Sequence, residues 1–263
     1  MRFARLAGLL PGKLLVAVGI GVVILGASTP ASADEFAVTY FSVSGLNNNA
    51  GSDFHAGGVT TGTGSSNYVS GSLSGGMPVY NPSFTAAAGY STPAGAGDVS
   101  GGGVLEWWTP GTYNGNVITE TGAGTLNLSS SPTNMFPPDS TGTNNNNAEE
   151  TAILSGDFDL SSPGSVSFGV AEDDDAFIYV DGTYVGGLGG IHALGSLLNV
   201  NTGTLSAGWH NVEIFYADQD QVAASLAFTS SVPISATPEP GSLALLGTGV
   251  LGLAGTLRRR FMR

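Results

Sequence analysis

Asp173-Asp174-Asp175-Ala176-Phe177-Ile178-Tyr179-Val180-Asp181-Gly182-Thr183-Tyr184-Val185 is the stretch that decides the fold. Two β-branched and aromatic triplets, Ile178-Tyr179-Val180 and Thr183-Tyr184-Val185, flank the dipeptide Asp181-Gly182. A two-residue type I′ turn needs positive φ at both central positions, which Asp-Gly supplies, so the stretch predicts a β-hairpin. The four consecutive carboxylates Glu172 to Asp175 stand just before it. Like charges in one tight turn repel, and hard oxygen donors clustered in this way suit Ca²⁺; the same run also reads as a simple solvated turn. Its spacing does not match an EF-hand loop.

Outward from the hairpin, short apolar or alternating runs separated by Gly, Asn, Ser and Pro continue in both directions, the pattern of many short strands. Strands are expected at 36–43, 104–109, 124–128, 151–160, 165–170, 177–180, 184–187, 210–216 and 223–228. In the run from Asn211 to Tyr216, Val212, Ile214 and Tyr216 alternate with Asn211, Glu213 and Phe215, which places one face on a core and leaves the other partly wet. Residues 45–103 are dominated by Gly, Ser, Ala, Thr and Asn and read as surface loops, as does the run Asn144 to Asn147. The expected fold is an all-β antiparallel sandwich of jelly-roll type occupying 34–236, flanked by a signal helix over 1–33 and a short apolar helix within 237–263. About 200 residues suffice for one such core.

Charge separates the ends from the middle. The chain has 263 residues and a formal net charge of −13, yet its seven Lys and Arg are Arg2, Arg5, Lys13, Arg258, Arg259, Arg260 and Arg263. Between residues 34 and 257 there are carboxylates and no permanent cation. Such a surface repels phosphate backbones, excluding nucleic acid, and attracts divalent cations. With no cysteine, disulfides and thiolate metal sites are also excluded.

The basic residues at the amino end precede an apolar run, 14–27, and then Ala31-Ser32-Ala33, which predicts a signal peptide cut by signal peptidase after Ala33. At the other end, Thr237-Pro238-Glu239-Pro240-Gly241 precedes an apolar span, 243–257, and the cluster Arg258-Arg259-Arg260. As a helix, that span reaches about 22 Å, short of the roughly 30 Å hydrocarbon core, and would anchor weakly with the arginines held in the cytoplasm. This order resembles the PEP-CTERM sorting signal. The resemblance implies recognition by an exosortase, cleavage near Pro238 to Pro240, transient anchoring in the inner membrane and a final place on the surface of, or outside, a Gram-negative bacterium that makes exopolysaccharide.

A second resemblance covers most of the chain between the ends. The acidic turn and hairpin, then Leu188-Gly189-Gly190-Ile191-His192, then Phe215-Tyr216-Ala217 and Ser225, with Asp53-Phe54, Trp107-Trp108 and Phe136-Pro137 upstream, resemble the fibro-slime domain, a relative of the protective-antigen-like β-sandwich lectins. The resemblance implies a Ca²⁺ site at Asp173 and Asp174, gripped through a cis peptide, with Asp175 beside them where the lectins place a small residue. After Ala217 the family commonly carries Glu-Arg, whereas this chain has Asp218-Gln219-Asp220. Asp218 and Asp220 are therefore candidate additional ligands. His192 is a candidate ligand or, more in keeping with a histidine after a Gly-Gly turn, a structural hydrogen-bonder. Trp107 and Trp108 are candidate sugar contacts; adjacent strand residues face opposite sides, so at most one of them is expected to reach a ligand.

Familiar catalytic fingerprints are absent from the sequence. Glu106, Glu120, Glu149, Glu150 and Glu213 are available as a glycosidase carboxylate pair, but availability is all the sequence shows. The expected function is a non-catalytic, calcium-dependent surface or matrix protein associated with exopolysaccharide. A purely structural matrix protein and a polysaccharide-degrading enzyme are the alternatives.

Overall fold

The computed structural model describes residues 34–44, 64–84, 99, 102–113, 116–135, 149–219 and 224–236. The chain divides into Met1–Ala31 and Ser32–Arg263, and every described residue lies in the second unit. The signal segment, the sorting tail, Asp53-Phe54, Phe136-Pro137, Asn144 to Asn147 and Asp220 lie outside the described residues.

The fold is all-β and antiparallel. Twelve strands are described: β1 (Asp34–Ser44), β2 (Gly111–Tyr113), β3 (Asn116–Leu128), β4 (Thr133–Asn134), β5 (Glu149–Leu160), β6 (Ser167–Asp173), β7 (Asp175–Val180), β8 (Thr183–Leu188), β9 (Leu198–Asn201), β10 (Gly208–Asp218), β11 (Ser225–Ser230) and β12 (Ser235–Ala236). The larger sheet runs β2-β3-β1-β5-β10-β7-β8 with β12 also on β5, and the smaller runs β4-β11-β6-β9. Between the sheets lies an apolar core in which Phe36, Leu154, Ile178, Val212, Ile214 and Tyr216 of the larger face Phe168, Val170, Leu226 and Phe228 of the smaller. Phe36 meets Phe228 edge-on across the gap, with centroids 5.3 Å apart. The sandwich expected from the sequence is thus present, with the alternation of β10 as its clearest determinant.

The opposite face of the larger sheet carries a second buried cluster, built on Phe41, Phe177, Tyr179 and Phe215. Its cover comes from residues 64–84 and 104–109. The former stretch, expected to be surface loop, is indeed irregular, but it buries Tyr68, Val69 and Tyr80 against the sheet. Tyr68 stacks on Phe177 at 5.7 Å.

Trp107 and Trp108 complete this cover, and their expected role is corrected here. Both are 1% exposed, so neither offers a face to sugar. Residues 104–109 form isolated bridges and a turn rather than a strand, so the alternation expected to send one indole outward does not operate. Trp108 packs edge-on against Phe215 at 5.2 Å and its Nε1 donates to the Tyr216 carbonyl at 2.9 Å. Thr151 Oγ1 donates to the Trp107 carbonyl at 2.8 Å, tying the turn to β5.

The hairpin turn is as its sequence predicts, with φ of 50° at Asp181 and 73° at Gly182, and with Val180 paired to Thr183. Its Asp181 side chain does further work. Oδ1 accepts the Asn211 amide at 3.1 Å and Oδ2 lies 2.7 Å from His210 Nδ1. The other ring nitrogen of His210 lies 3.0 Å from the Ser206 carbonyl. Both partners are acceptors, so both contacts are hydrogen bonds when both ring nitrogens carry protons, which favours the imidazolium. The Asp181 hydrogen bond is the first cause raising its proton affinity above the usual histidine value, followed by that to Ser206. The ring also stacks on Phe158 at 5.4 Å, which favours the charged form.

A group whose folded-state pKa is raised stabilises fully below its unfolded value and loses that contribution as pH rises through the folded value. His210→Gln is therefore expected to melt below the parent under mildly acidic conditions, with the difference closing at alkaline pH. A difference independent of pH would show that the ring contributes by packing alone.

Candidate functional site

Glu172, Asp173, Asp174 and Asp175 occupy the junction where β6 of the smaller sheet passes into β7 of the larger. The peptide between Asp173 and Asp174 is cis. All four carboxylates are buried, at 1%, 8%, 1% and 0% exposure. Burial of carboxylates at this level requires protonation or compensation, and no lysine or arginine exists within 34–257 to supply the latter.

Part of the compensation is backbone. Alternate amides of the segment following the hairpin each reach one carboxylate: Leu188 N donates to Glu172 Oε1 at 2.8 Å, Gly190 N to Asp175 Oδ1 at 2.6 Å, His192 N to Asp174 Oδ1 at 3.1 Å and Leu194 N to Asp173 Oδ2 at 3.3 Å. Gln219 N donates to Asp174 Oδ2 at 2.7 Å. The Gly189-Gly190 pair permits this close passage. A Cβ on Gly189 would lie 2.6 Å from Tyr68 Cγ, and Gly190 has φ of 95°.

The remaining members arrive from β10. Asp218 is fully buried, and the Tyr216 hydroxyl donates to the Asp173 carbonyl. Burial first, then the charges of Asp218, Asp174, Asp173 and Asp175 in that order, push the Tyr216 phenol well above its ordinary range. The hydroxyl thus lies within electrostatic reach of four carboxylates. Glu172 belongs elsewhere: it raises Tyr184 rather than Tyr216, and burial pushes its own pKa up to about 8, which keeps it largely protonated at neutral pH. Asp175 shares its sheet face with Phe177 and Tyr179 and pairs with Ala217, so it points toward the outer cluster.

His192 serves the site through its amide. Its Nδ1 lies 3.0 Å from the Ala193 carbonyl and so carries the proton. Its Nε2 packs against Gly64, where a Cβ would approach to 2.5 Å. Burial lowers its pKa, which favours the neutral ring.

The donor chemistry of Asp173, Asp174 and Asp218 fits a hard divalent cation. A carboxylate has about four acceptor positions, so the backbone amides do not exhaust it. Among the described residues, however, no group of three His, Cys, Asp or Glu side chains forms a ready-made metal cage. The sequence pointed to the acidic turn. It could not point to Gly190, Leu194 and Gln219, because backbone donors leave no residue-type signature.

Glu120 and Glu150 do not face one another. Glu120 is in register with Phe41, while Glu150 is in register with Ser42. Neighbouring positions on a strand face opposite sides, so these two carboxylates diverge.

At the carboxyl end, β12 closes on β5 through Ser235 and Ala236, where the basic and apolar sorting segment begins. Residues 236–260 match the PEP-CTERM protein-sorting motif. PEP-CTERM marks an exported protein that is transiently anchored in the membrane and processed by an exosortase. The match takes in Pro238, Glu239, Pro240, Arg258, Arg259 and Arg260. No curated protein matches the chain in sequence.

Solved structures overlap it in part. A PA14 sugar-binding domain from an RTX adhesin is 30% identical over 32% of this chain and 46% of that one, with a TM-score of 0.29. The epithelial adhesin 9 A domain from Candida glabrata, in complex with Galβ1-4GlcNAc, is 17% identical over 33% and 48%, at 0.26. The PA14 domain of the MpAFP antifreeze protein is 16% identical over 81% and 97%, at 0.32. The chain spans about half the length of the first two.

Proposed function

We propose that this PEP-CTERM protein is a non-catalytic, fibro-slime-like component of the cell surface or extracellular matrix that associates with exopolysaccharide, its sandwich stabilised by Ca²⁺ held by Asp173 and Asp174 with Asp218 alongside. The observation that carries the reading is the burial of these carboxylates around Tyr216 in a domain devoid of lysine and arginine. Bound calcium would neutralise that charge. The protein's own residues orient the carboxylates and exclude water from them.

Extracellular calcium modules commonly have Kd values of about 10⁻⁴ to 10⁻³ M. At about 10 mM calcium such a site stabilises by roughly 1.4 to 2.7 kcal/mol, which raises Tm by about 3 to 10 °C in a domain of this size. Chelation should reverse the shift, and Asp173→Asn should lack it. Titration giving neither heat nor a change in Tm would remove calcium from the proposal.

A purely structural matrix role is the second reading, favoured by the backbone amides that already meet each acidic side chain of the turn. Under that reading the protein retains no polysaccharide and calcium leaves Tm unchanged.

A further inference from the structure

Trp209 is 73% exposed, while the other two tryptophans of the chain are buried. It stands near the beginning of β10, in the interior of the larger sheet, on the face that bears Asn211, Glu213 and Phe215. Toward the far end of that face, the loops carrying Tyr68 and Trp108 cover Phe215. Around Trp209 the described residues leave the face open, with Trp209 and Asp159 both exposed. Eight residues separate Trp209 from Ala217, the partner of Asp175, which puts the indole about 26 Å along the strand from the acidic junction. The two places are distinct.

Carboxylates frame the indole. Asp159 is its direct cross-strand partner on β5, and Asp157 is the partner of Asn211 one step further along the same face. Asn211 Nδ2 donates to the Gly156 carbonyl at 3.2 Å and to Asp157 Oδ1 at 3.3 Å, which fixes this floor. Asp159 is exposed and Asp157 and Glu213 are half-buried. The flat aromatic plate and the acidic rim select the same kind of partner. A pyranose ring stacks on the indole, a protonated amine on that ring is drawn to its π face, and Asp159 accepts a charge-assisted hydrogen bond from the amine. A polyuronate is disfavoured here, because carboxylates frame the indole and no lysine or arginine lies between residues 34 and 257.

We propose that the open sheet face centred on Trp209, with Asp159 and Asp157, binds a polysaccharide of amino sugars carrying free, protonated amines. This rests on the reading that the exported protein meets polysaccharide, and it assigns the contact to a surface remote from the calcium candidate. Trp209 being the exposed indole, binding reads out directly as protection of tryptophan emission from a soluble quencher.

The test uses the full-length chain with a glucosamine oligomer and its N-acetylated counterpart under mildly acidic conditions. The glucosamine oligomer should protect the emission and bind more tightly than the acetylated form, with affinity falling as salt rises. Measured by calorimetry, which does not depend on the indole that reports by fluorescence, Trp209→Ala should weaken binding at least about tenfold and Asp159→Asn several-fold, with little change in Tm. Equal affinity for the acetylated oligomer, or unchanged binding by Trp209→Ala, overturns the proposal. Calcium-dependent retention of polysaccharide that ignores Trp209→Ala overturns it while leaving the parent reading standing. Loss of the calcium effect on Tm with oligomer binding intact and dependent on Trp209 does the reverse.

Discussion

Gly187→Ala is expected to destabilise the domain by roughly 2 to 6 kcal/mol and to lower Tm by on the order of 10 °C. Gly187 lies opposite Phe177 just beyond the point where the β7–β8 register shifts, between Ile178 and Tyr179. Its φ is 131°, and a Cβ there would sit 1.9 Å from the Ala176 carbonyl oxygen and 2.9 Å from its carbon. Both atoms are backbone in a buried strand, so neither can yield without breaking the pairing of β7 with β10. Gly182 supplies the control. It also has positive φ, at 73°, but nothing lies within 4 Å of its virtual Cβ. Gly182→Ala should therefore cost only the conformational term, about 1 to 2 kcal/mol. Equilibrium denaturation of the two variants side by side checks the difference, and equal losses would mean that the close approach at Gly187 relaxes freely.

The contrast between those two glycines also shows what a sequence discloses. Asp181-Gly182 announces its turn because the requirement is local, two positive φ values between two β-branched runs. Gly187 announces nothing, since its need is set by a carbonyl eleven residues earlier. The same division runs through the fold. β10 was legible because Val212, Ile214 and Tyr216 face one core and alternate with residues of another character. The first half of β3 was not, because Thr119 through Thr125 are exposed and held chiefly by backbone pairing with β1, so no apolar period is written there. Trp107-Trp108 misled because alternation was applied to what is a turn. At the candidate site the acidic run was visible as charge, and the Asp173 and Asp174 pair stood out through its family resemblance. Tyr216 was read as a core residue and as part of the family resemblance, but its hydroxyl's role was not legible, because it depends on β10 crossing beneath the junction. Trp209 went unmarked for a related reason: its exposure is a property of where the covering loops stop.

Asp174→Ala should be the most damaging change at the acidic junction. Its two oxygens accept the amides of His192 and Gln219, and the side chain is 1% exposed. Leaving a buried donor unmet costs about 1 to 3 kcal/mol, so two of them cost roughly 2 to 6. Removing one negative charge from beside Asp173 and Asp218 works in the opposite direction, most strongly when no cation is present. The amides should still win, because their loss is short-range and complete while the repulsion is shared among the remaining groups; a net loss of about 3 kcal/mol is expected in chelator. Asp174→Asn keeps one acceptor and turns an NH₂ toward the other amide, so it should fall between the variant and the parent. Calcium then separates the electrostatic part from the structural one. Added to the parent it should widen the gap to both variants by the stabilisation calculated for the bound ion, since only the parent retains the complete carboxylate pair. If Asp174→Ala instead melts with the parent in chelator and responds equally to calcium, the amides have found other partners and the junction neither depends on this side chain nor holds a cation with it.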